Sequence, residues 1–308
     1  MKLITYRRHR GTILTGVVID DRVLDISAWL AGIEVSAETE RHSLQTGMAV
    51  AQGGILRLLQ SGGGALAALA NHVESRLEQP DGALERLSDV QLYAPVPRPG
   101  KIVALGRNYA DHAKETGVAP FEKPRIIAKL SSSVAAPGVA IARPAAVSKL
   151  DFEVELAVVI GAYARDVAEA DALNFVAGYT VLNDLSAREF QFDVSPAQTT
   201  FAKSMDGFAP MGPWLVTRDE IPDPQQLEVT SWLNGVRMQH ASTADMLFPV
   251  AFLIAYLSQY MTLEPGDVIA TGTPAGIGAF RTPPQYLQAG DHLRFEISGV
   301  GILENNIG

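Results

Sequence analysis

The residues that could do chemistry begin with two glutamates in an otherwise apolar stretch, LDFEVELAVVIG at 150–161. Read as a β-strand, its side chains alternate between two faces, and Glu153 and Glu155 share a face with Ala157 and Val159. Two buried like charges repel each other and lose their hydration. Burying them is therefore costly unless a cation compensates them. Carboxylates two positions apart on a strand, with Cα atoms roughly 6.6–6.8 Å apart, can reach one metal ion. This stretch alone leaves two interpretations open: a metal site, or a polar edge strand with solvated glutamates.

A histidine and a glutamate form a second candidate group. The segment 108–117 predicts a short helix with Asn108 as its N-cap and Gly117 just beyond its C-terminus. His112 and Glu115 are then neighbours on one face, three positions apart. A carboxylate beside an imidazole favours the protonated ring and can orient it for proton transfer. The alternative is a solvated pair on the helix surface.

A third group follows the strand predicted over 176–182. Asp184 stands at the end of this strand, and Arg188 and Gln191 follow it. Asp184 could be a further metal ligand, with the other two side chains binding anions. It could equally be a helix N-cap.

Composition excludes several classes of protein. The 308 residues include no cysteine, which rules out disulfides, thiolate nucleophiles, zinc–cysteine sites and iron–sulfur clusters. The net charge of −9 argues against nucleic acid or an anionic membrane as the main partner. Residues 1–21 lack the apolar core of a signal peptide, and the apolar run 246–261 is too short to span a bilayer. We therefore expect a soluble, cytoplasmic protein with neither kind of partner.

The elements that must position these groups fall into two parts. Residues 1–26 alternate with period two, and Asp20-Asp21 predicts a turn between two short strands. Residues 43–77 predict two helices around the flexible segment Ser61-Gly62-Gly63-Gly64. The proline-rich segment 94–100 is the best boundary, so we predict a small domain at 1–93, a linker at 94–100 and a catalytic domain at 101–308.

The second part is predicted to consist mainly of strands. Asn234-Gly235 marks a hairpin, and Pro249 suits the first turn of a helix that runs to about Met261. The glycine-rich loop 272–278 lacks the setting of a dinucleotide-binding motif. Further strands are predicted at 101–105, 125–129, 214–217, 268–271 and, as the last one, 292–298. A mobile loop is predicted at 118–125, and further loops are predicted at 203–207 and 211–213.

Six segments, in this order, resemble the fumarylacetoacetate hydrolase family over about residues 100–300. They are GRNYADH at 106–112, DFEVELAVVIG at 151–161, NDLSAR at 183–188, KSMD at 203–206, LNG at 233–235 and TGTPAG at 271–276. The resemblance implies an α+β, mostly β fold, with a mixed β-roll catalytic domain and a smaller N-terminal α/β domain. It also implies a homodimer.

The resemblance further implies a site for a divalent cation, Mg²⁺ or Mn²⁺, at the 2-oxo acid end of a small substrate. Glu153, Glu155 and Asp184 match the ligands, which agrees with the argument from the strand. His112 and Glu115 match a pair that activates water, and Lys203 is the third catalytic candidate. The positions that match substrate-binding residues are Arg107, Tyr109, Lys129, Arg188, Gln191 and Thr273.

These matches predict a hydrolase that cleaves the C–C bond of an acylpyruvate, a 2,4-dioxo acid such as a fumarylpyruvate-like intermediate of aromatic catabolism, with a pyruvate enolate as leaving group. The alternatives use the same chemistry without hydrolysis: decarboxylation of oxaloacetate or a longer 2-oxo diacid, or isomerisation or hydration of a 2-oxo-enoate. Gly207 replaces a threonine common in the family, and Glu189 replaces the usual aspartate. Both departures leave the substrate's identity open.

Overall fold

A computed structural model describes residues 1–9, 11–78, 84–115, 117 and 121–308. Seven α-helices lie in this part of the chain. They are α1 Ser27–Ala31, α2 Ala37–Thr46, α3 Gly54–Gln60, α4 Ala65–Leu77, α5 Ala110–Glu115, α6 Thr199–Ala202 and α7 Val250–Ser258. None of these helices has the length and apolar character that crossing a bilayer requires.

Strands dominate the architecture. In the described residues they are β1 Lys2–Arg7, β2 Ile13–Ile19, β3 Arg22–Asp25, β4 Glu85–Arg86, β5 Gln91–Tyr93, β6 Ile102–Gly106, β7 Arg125–Lys129, β8 Val134–Ala135, β9 Ala140–Ile141, β10 Leu150–Asp151, β11 Val154–Ile160, β12 Val176–Asn183, β13 Ser186–Ala187, β14 Ala209–Thr217, β15 Glu228–Leu233, β16 Val236–Ser242, β17 Val268–Ala270, β18 His292–Ile297 and β19 Gly301–Ile307.

The strands form three sheets. The largest has the order β4-β3-β2-β1-β14-β12-β11-β17-β6-β7, with β5 also paired to β1 and β8 to β14. A five-stranded sheet has the order β16-β15-β18-β19-β9, and β10 pairs with β13. The large sheet is mixed, since β17 and β6 are parallel while β11 and β12 are antiparallel.

The N-terminal elements follow the sequence pattern. Strands β2 and β3 flank the predicted turn, where Asp20 has a φ of 54°. Helices α3 and α4 lie on either side of the predicted glycine break. The predicted start of the helical region at 43 was wrong, because α2 already begins at Ala37 and ends at Thr46, with Gly47 as its C-cap. Ser36 caps this earlier start, since its Oγ accepts a hydrogen bond from Thr39 N.

The strand that carries the two glutamates alternates as predicted. Leu156 and Val158 pack into one buried cluster, and Ala157 and Val159 into another on the opposite face. The predicted strand is interrupted, however, because β10 ends at Asp151 and β11 begins at Val154. Glu153 therefore lies at a break in the strand instead of inside it.

Two other predictions for the catalytic part were wrong. Residues 211–213, expected in a loop, lie inside β14, where Gly212 has a φ of 144° that glycine tolerates. Strand β19 follows the expected last strand and was missed because Asn305 interrupts its apolar alternation. Asn305 is buried, and its amide donates hydrogen bonds to Ala136 O and Val139 O.

Two further predicted elements are present. The hairpin β15–β16 turns at Asn234-Gly235, both with positive φ. Pro249 is the N-cap of α7, and this helix ends at Ser258, before the predicted end at about Met261. Of the loop expected at 118–125, residues 118–120 lie outside the described residues.

Candidate active site

Three buried carboxylates converge where strands β11 and β12 pair. Glu153 precedes β11, Glu155 lies within it, and Asp184 follows β12. They are 6%, 1% and 1% exposed. Each offers one carboxylate oxygen, and these oxygens all lie within 4.8 Å of one another. A hydrogen bond of 2.9 Å from Asp184 N to Glu153 O connects the residue that precedes β11 to the residue that follows β12.

Buried cations surround two of these carboxylates. Lys203 Nζ lies 3.0 Å from Glu153 Oε2 and 2.8 Å from Asp184 Oδ2. Arg188 Nη2 lies 2.6 Å from Glu153 Oε1, and Lys129 Nζ lies 2.6 Å from Asp184 Oδ1. Although burial alone would have the opposite effect, Lys203 and Arg188 lower the pKa of Glu153 to about 2. Glu153 is therefore held as a carboxylate.

Glu155 has a different environment. Its Oε2 accepts a hydrogen bond of 2.8 Å from Gly272 N. Burial, together with the negative charges of Asp184 and Glu153, raises the pKa of Glu155 well above its usual range. A positive charge bound among the three carboxylates would remove this repulsion.

The donor set fits a hard divalent cation. Three carboxylates offer oxygen ligands of the kind that Mg²⁺ and Mn²⁺ prefer, and waters can complete the coordination. Each oxygen already bonded to a lysine or arginine retains a second lone pair. Lys129, Lys203 and Arg188 therefore orient the carboxylates and leave a lone pair on each oxygen for a metal ion.

The predicted proton-transfer pair is formed on α5. His112 Nδ1 lies 3.1 Å from Glu115 Oε2, and Glu115 Oε1 accepts a hydrogen bond of 3.0 Å from Gly276 N. His112 is 6% exposed, so the alternative of a solvated surface pair is wrong. With Nδ1 committed to Glu115, Nε2 is the ring nitrogen available to a water or substrate.

A cavity is lined by His112 of this pair and by two of the carboxylates, Glu153 and Asp184, whereas Glu115 and Glu155 are not in its described lining. Phe280, whose ring centroid lies 6.1 Å from that of His112, forms part of its wall. The predicted site residues in its lining are Arg107, His112, Glu153, Asp184, Arg188, Gln191, Lys203 and Thr273. Lys203 and Arg188 thus contact both the carboxylates and the open space. This placement allows them to act on a bound substrate.

Two predicted substrate-binding residues lie behind the cavity instead of in its described lining. The ammonium of Lys129 is fully buried and binds Asp184 Oδ1, Phe208 O and Lys203 O, so its three hydrogens are used within the protein. Tyr109 is 1% exposed and packs in the main apolar cluster. Burial, reinforced by the negative charge of Glu155, raises the pKa of the Tyr109 phenol.

Asn108 does not cap α5 as predicted. Its amide group bridges two other segments: Nδ2 donates to Thr271 O and Phe248 O, and Oδ1 accepts from Phe248 N. Asn108 therefore ties the beginning of the His112 helix to the loop that follows β17.

Several site residues were missed, because their contacts join segments that are distant in sequence or because they lie inside a quoted motif without being singled out. Arg125 lines the cavity from β7. Asp151 accepts a hydrogen bond of 2.9 Å from Arg188 Nε, and Ser186 Oγ accepts one of 2.7 Å from Lys203. Gln239, on β16, donates a hydrogen bond of 2.7 Å to Thr273 Oγ1. A signal existed only for Asp151, as a third acidic residue within the stretch 150–161, two positions before Glu153.

Fold and site together define a β-rich protein with a buried carboxylate cluster that opens onto a small-molecule cavity. The family model for the C-terminal domain of fumarylacetoacetate (FAA) hydrolase matches residues 101–308. The chain belongs to this family, as the six sequence segments predicted.

Similar proteins agree with this assignment. A Burkholderia multivorans protein named "Putative hydrolase" is 50% identical over 207 residues, 67% of this chain and 73% of that protein. The maleylpyruvate hydrolase of Sphingobium sp. SYK-6, solved with manganese(II) and pyruvate, has a TM-score of 0.77 at 30% identity and covers 100% of this chain and 98% of its own. A 5-carboxymethyl-2-hydroxymuconate delta-isomerase from Mycobacterium smegmatis has a TM-score of 0.72 at 30% identity, with the same coverage. These structures confirm the predicted mostly β fold class.

Proposed function

We propose that the chain is a divalent-cation-dependent hydrolase that splits the C–C bond of an acylpyruvate, a 2,4-dioxo acid. The observation that carries this proposal is that one cavity is lined by Glu153, Asp184 and His112. A cation site and a base oriented by a carboxylate therefore face the same substrate. The similarity to a maleylpyruvate hydrolase crystallised with manganese(II) and pyruvate supports the same conclusion.

Glu153, Glu155 and Asp184 would hold the cation, Mg²⁺ or Mn²⁺. When bound, it would supply Lewis-acid chemistry at the 2-oxo acid end of the substrate. Lys203 and Arg188 carry fixed positive charge at the same end of the cavity. Fixed charges aimed at an oxygen on which negative charge develops stabilise the transition state.

His112 is the base. Its Nε2 removes a proton from a water molecule, and the water oxygen bonds to the 4-oxo carbon of the substrate. The C3–C4 bond then breaks, and its electron pair leaves with C3 as the pyruvate enolate. The proton that Nε2 took from water is then delivered to C3, which regenerates the neutral imidazole and completes the products, pyruvate and a carboxylic acid. Glu115 keeps the ring oriented, and Gly276 N keeps Glu115 in place.

Two further arginines in the cavity lining favour a substrate with a second carboxylate. Arg107 and Arg125 both lie in the lining. Burial, together with the positive charge of Arg125, lowers the pKa of Arg107. In the described residues, neither guanidinium has a carboxylate within salt-bridge distance. An anionic acyl group would compensate both charges.

The test is turnover of purified protein with Mg²⁺ or Mn²⁺. A diacid acylpyruvate such as maleylpyruvate or fumarylpyruvate should be cleaved, and acetylpyruvate, which lacks the second carboxylate, should be cleaved less efficiently. Changing Arg125→Met should lower kcat/KM for the diacid by about tenfold or more, since hydrogen bonds to charged groups contribute ~1.5–3 kcal/mol. The effect on acetylpyruvate should be small. Equal losses on both substrates would reject the assignment of Arg125.

Isomerisation of a 2-oxo-enoate is the second candidate, favoured by the similarity to the muconate delta-isomerase. Decarboxylation of oxaloacetate, the other alternative reaction, should be measured with the same protein and cations. If only the enoate or oxaloacetate is converted, and acylpyruvates remain intact with either cation, hydrolysis is the wrong reaction.

A further inference from the structure

Gln239 lies behind the cavity wall, 1% exposed, and takes part in four hydrogen bonds. Its Nε2 donates to Thr273 Oγ1 at 2.7 Å and to Pro274 O at 2.8 Å. Its Oε1 accepts from Val154 N at 3.2 Å and from Ser231 Oγ at 3.0 Å. The amide therefore uses both of its hydrogens and both oxygen lone pairs within the protein.

The direction of these bonds is determined by the backbone. Val154 N–H can only donate, so the atom facing it must be the amide oxygen. Pro274 C=O can only accept, so the atom facing it must be the amide nitrogen. The second amide hydrogen consequently points to the Thr273 hydroxyl, which accepts it.

A hydroxyl that accepts from Gln239 keeps its single proton for another partner. Thr273 lines the cavity, and no acceptor for this proton lies within hydrogen-bond distance in the described chain. The preceding residue, Gly272, donates its N–H to Glu155 Oε2 at 2.8 Å. Thr273 thus lies at the carboxylate end of the cavity, where the proposed function places the 2-oxo acid group.

We propose that Gln239 is a positioning residue that fixes the Thr273 hydroxyl as a hydrogen-bond donor to the 2-oxo acid end of the substrate. This inference rests on the proposed function for the chemistry of the ligand. Gln239 also joins two parts of the site, because Val154 is the residue between the two glutamates. Its amide holds the glutamate strand and the threonine loop in one arrangement.

The experiment measures pyruvate binding by calorimetry in the presence of saturating Mn²⁺. Thr273→Val removes the hydroxyl, and Gln239→Met removes the amide that directs it. Each should weaken pyruvate binding by about tenfold or more. The double variant should bind no more weakly than either single one, since both changes remove the same interaction. Thr273→Ser keeps the hydroxyl and should recover most of the binding that Thr273→Val loses, and Gln226→Met, at an exposed glutamine, is the matched control.

Two further measurements separate a positioning role from a general structural one. Mn²⁺ affinity should stay within a few-fold of wild type in Gln239→Met, and KM for an acylpyruvate should rise more than kcat falls. If Gln239→Met does not fold, Gln239→Glu replaces it. A carboxylate cannot donate to Thr273, so the threonine proton would turn toward residue 239 and pyruvate binding should weaken as well.

The outcomes are distinct. Undiminished pyruvate binding in the Gln239 variants, or additive losses in the double variant, would overturn the inference alone. Pyruvate binding by the wild type without acylpyruvate cleavage would overturn the proposed hydrolysis and leave the inference standing. Absence of pyruvate binding by the wild type would overturn both.

Discussion

At the scale of single residues, charge balance distinguishes Glu155 from its neighbours. Glu153 contacts Lys203 and Arg188, and Asp184 contacts Lys203 and Lys129. Glu155 has a hydrogen bond only from a backbone amide among its described contacts. The protein thus compensates two carboxylates with its own cations and leaves the third to an added positive charge.

Glu155→Gln is therefore expected to be more stable than wild type without the cation and less stable than wild type with it. Without it, the variant should unfold at a higher temperature than wild type near neutral pH, because a carboxylate whose folded-state pKa is raised destabilises the fold above its unfolded pKa. With Mn²⁺, wild type should gain stability and the variant little. Turnover should fall to background, and Mn²⁺ affinity by ~100-fold or more.

Thermal unfolding with and without Mn²⁺, together with calorimetry, measures these effects. Glu40→Gln changes an exposed glutamate on α2 and serves as the control. Full Mn²⁺-dependent activity of Glu155→Gln would remove Glu155 from the ligand set.

His112→Ala should separate cation binding from hydrolysis. The imidazole contacts Glu115 and none of the three carboxylates through a hydrogen bond. We expect kcat for acylpyruvate hydrolysis to fall by ~10²–10⁴-fold, the usual contribution of a general base. Mn²⁺ affinity should be nearly unchanged. A large loss of Mn²⁺ affinity would instead reassign His112 as a ligand.

At the scale of elements, the interruption between β10 and β11 shapes the site. Asp151, the last residue of β10, accepts hydrogen bonds from Phe152 N, Gly278 N and Ala279 N and from Arg188 Nε. One buried carboxylate thus holds the strand break, the loop after β17 and an arginine of the cavity wall.

This part of the site shows where prediction from sequence succeeds and where it ends. Alternation along one strand predicted that Glu153 and Glu155 share a face with Ala157 and Val159, because side-chain direction is a local property, whereas it left open whether that face is buried. The break at Glu153 and the partnership of Arg188 with Asp151, 37 positions away, depend on long-range packing. The contact of Lys129 with Asp184 spans 55 positions, and a local sequence pattern cannot predict it either.

Asp151→Asn should destabilise the fold strongly. The change removes the negative partner of a buried guanidinium, and breaking a buried pair costs ~3–5 kcal/mol. Denaturant unfolding measures this loss. Asp193→Asn breaks the exposed pair with Lys149 and should change the stability little. Equal stabilities of the two variants would show that Asp151 does not hold this arrangement.

At the scale of the whole molecule, the N-terminal part is continuous with the rest of the large sheet. Strand β1 pairs antiparallel with β14, which in turn pairs with β12. One apolar cluster contains Leu3 and Leu58 from the N-terminal part and Val159 and Leu215 from the catalytic part. The division at 94–100 and the homodimer both stay predictions.

Ion pairs add to this connection. His42 Nε2, on α2, lies 2.6 Å from Glu264 Oε1, and Lys101 Nζ lies 2.9 Å from Glu264 Oε2. The same lysine contacts Asp267 just before β17, at 2.9 Å. The N-terminal part therefore contacts the turn that leads into the strand preceding the Thr273 loop.

Residues 101–308 expressed alone should consequently be less stable than the full chain, although the family match covers this whole segment. Without β1, strand β14 would expose an unpaired edge, and Val159 and Leu215 would lose apolar partners. We expect a lower unfolding temperature and association in size-exclusion chromatography. Adding residues 1–93 as a separate polypeptide should partly restore both properties, since it supplies the missing strand and the apolar face. A monodisperse fragment that unfolds at the temperature of the full chain would show instead that the catalytic part folds independently, and that the shared sheet adds little to its stability.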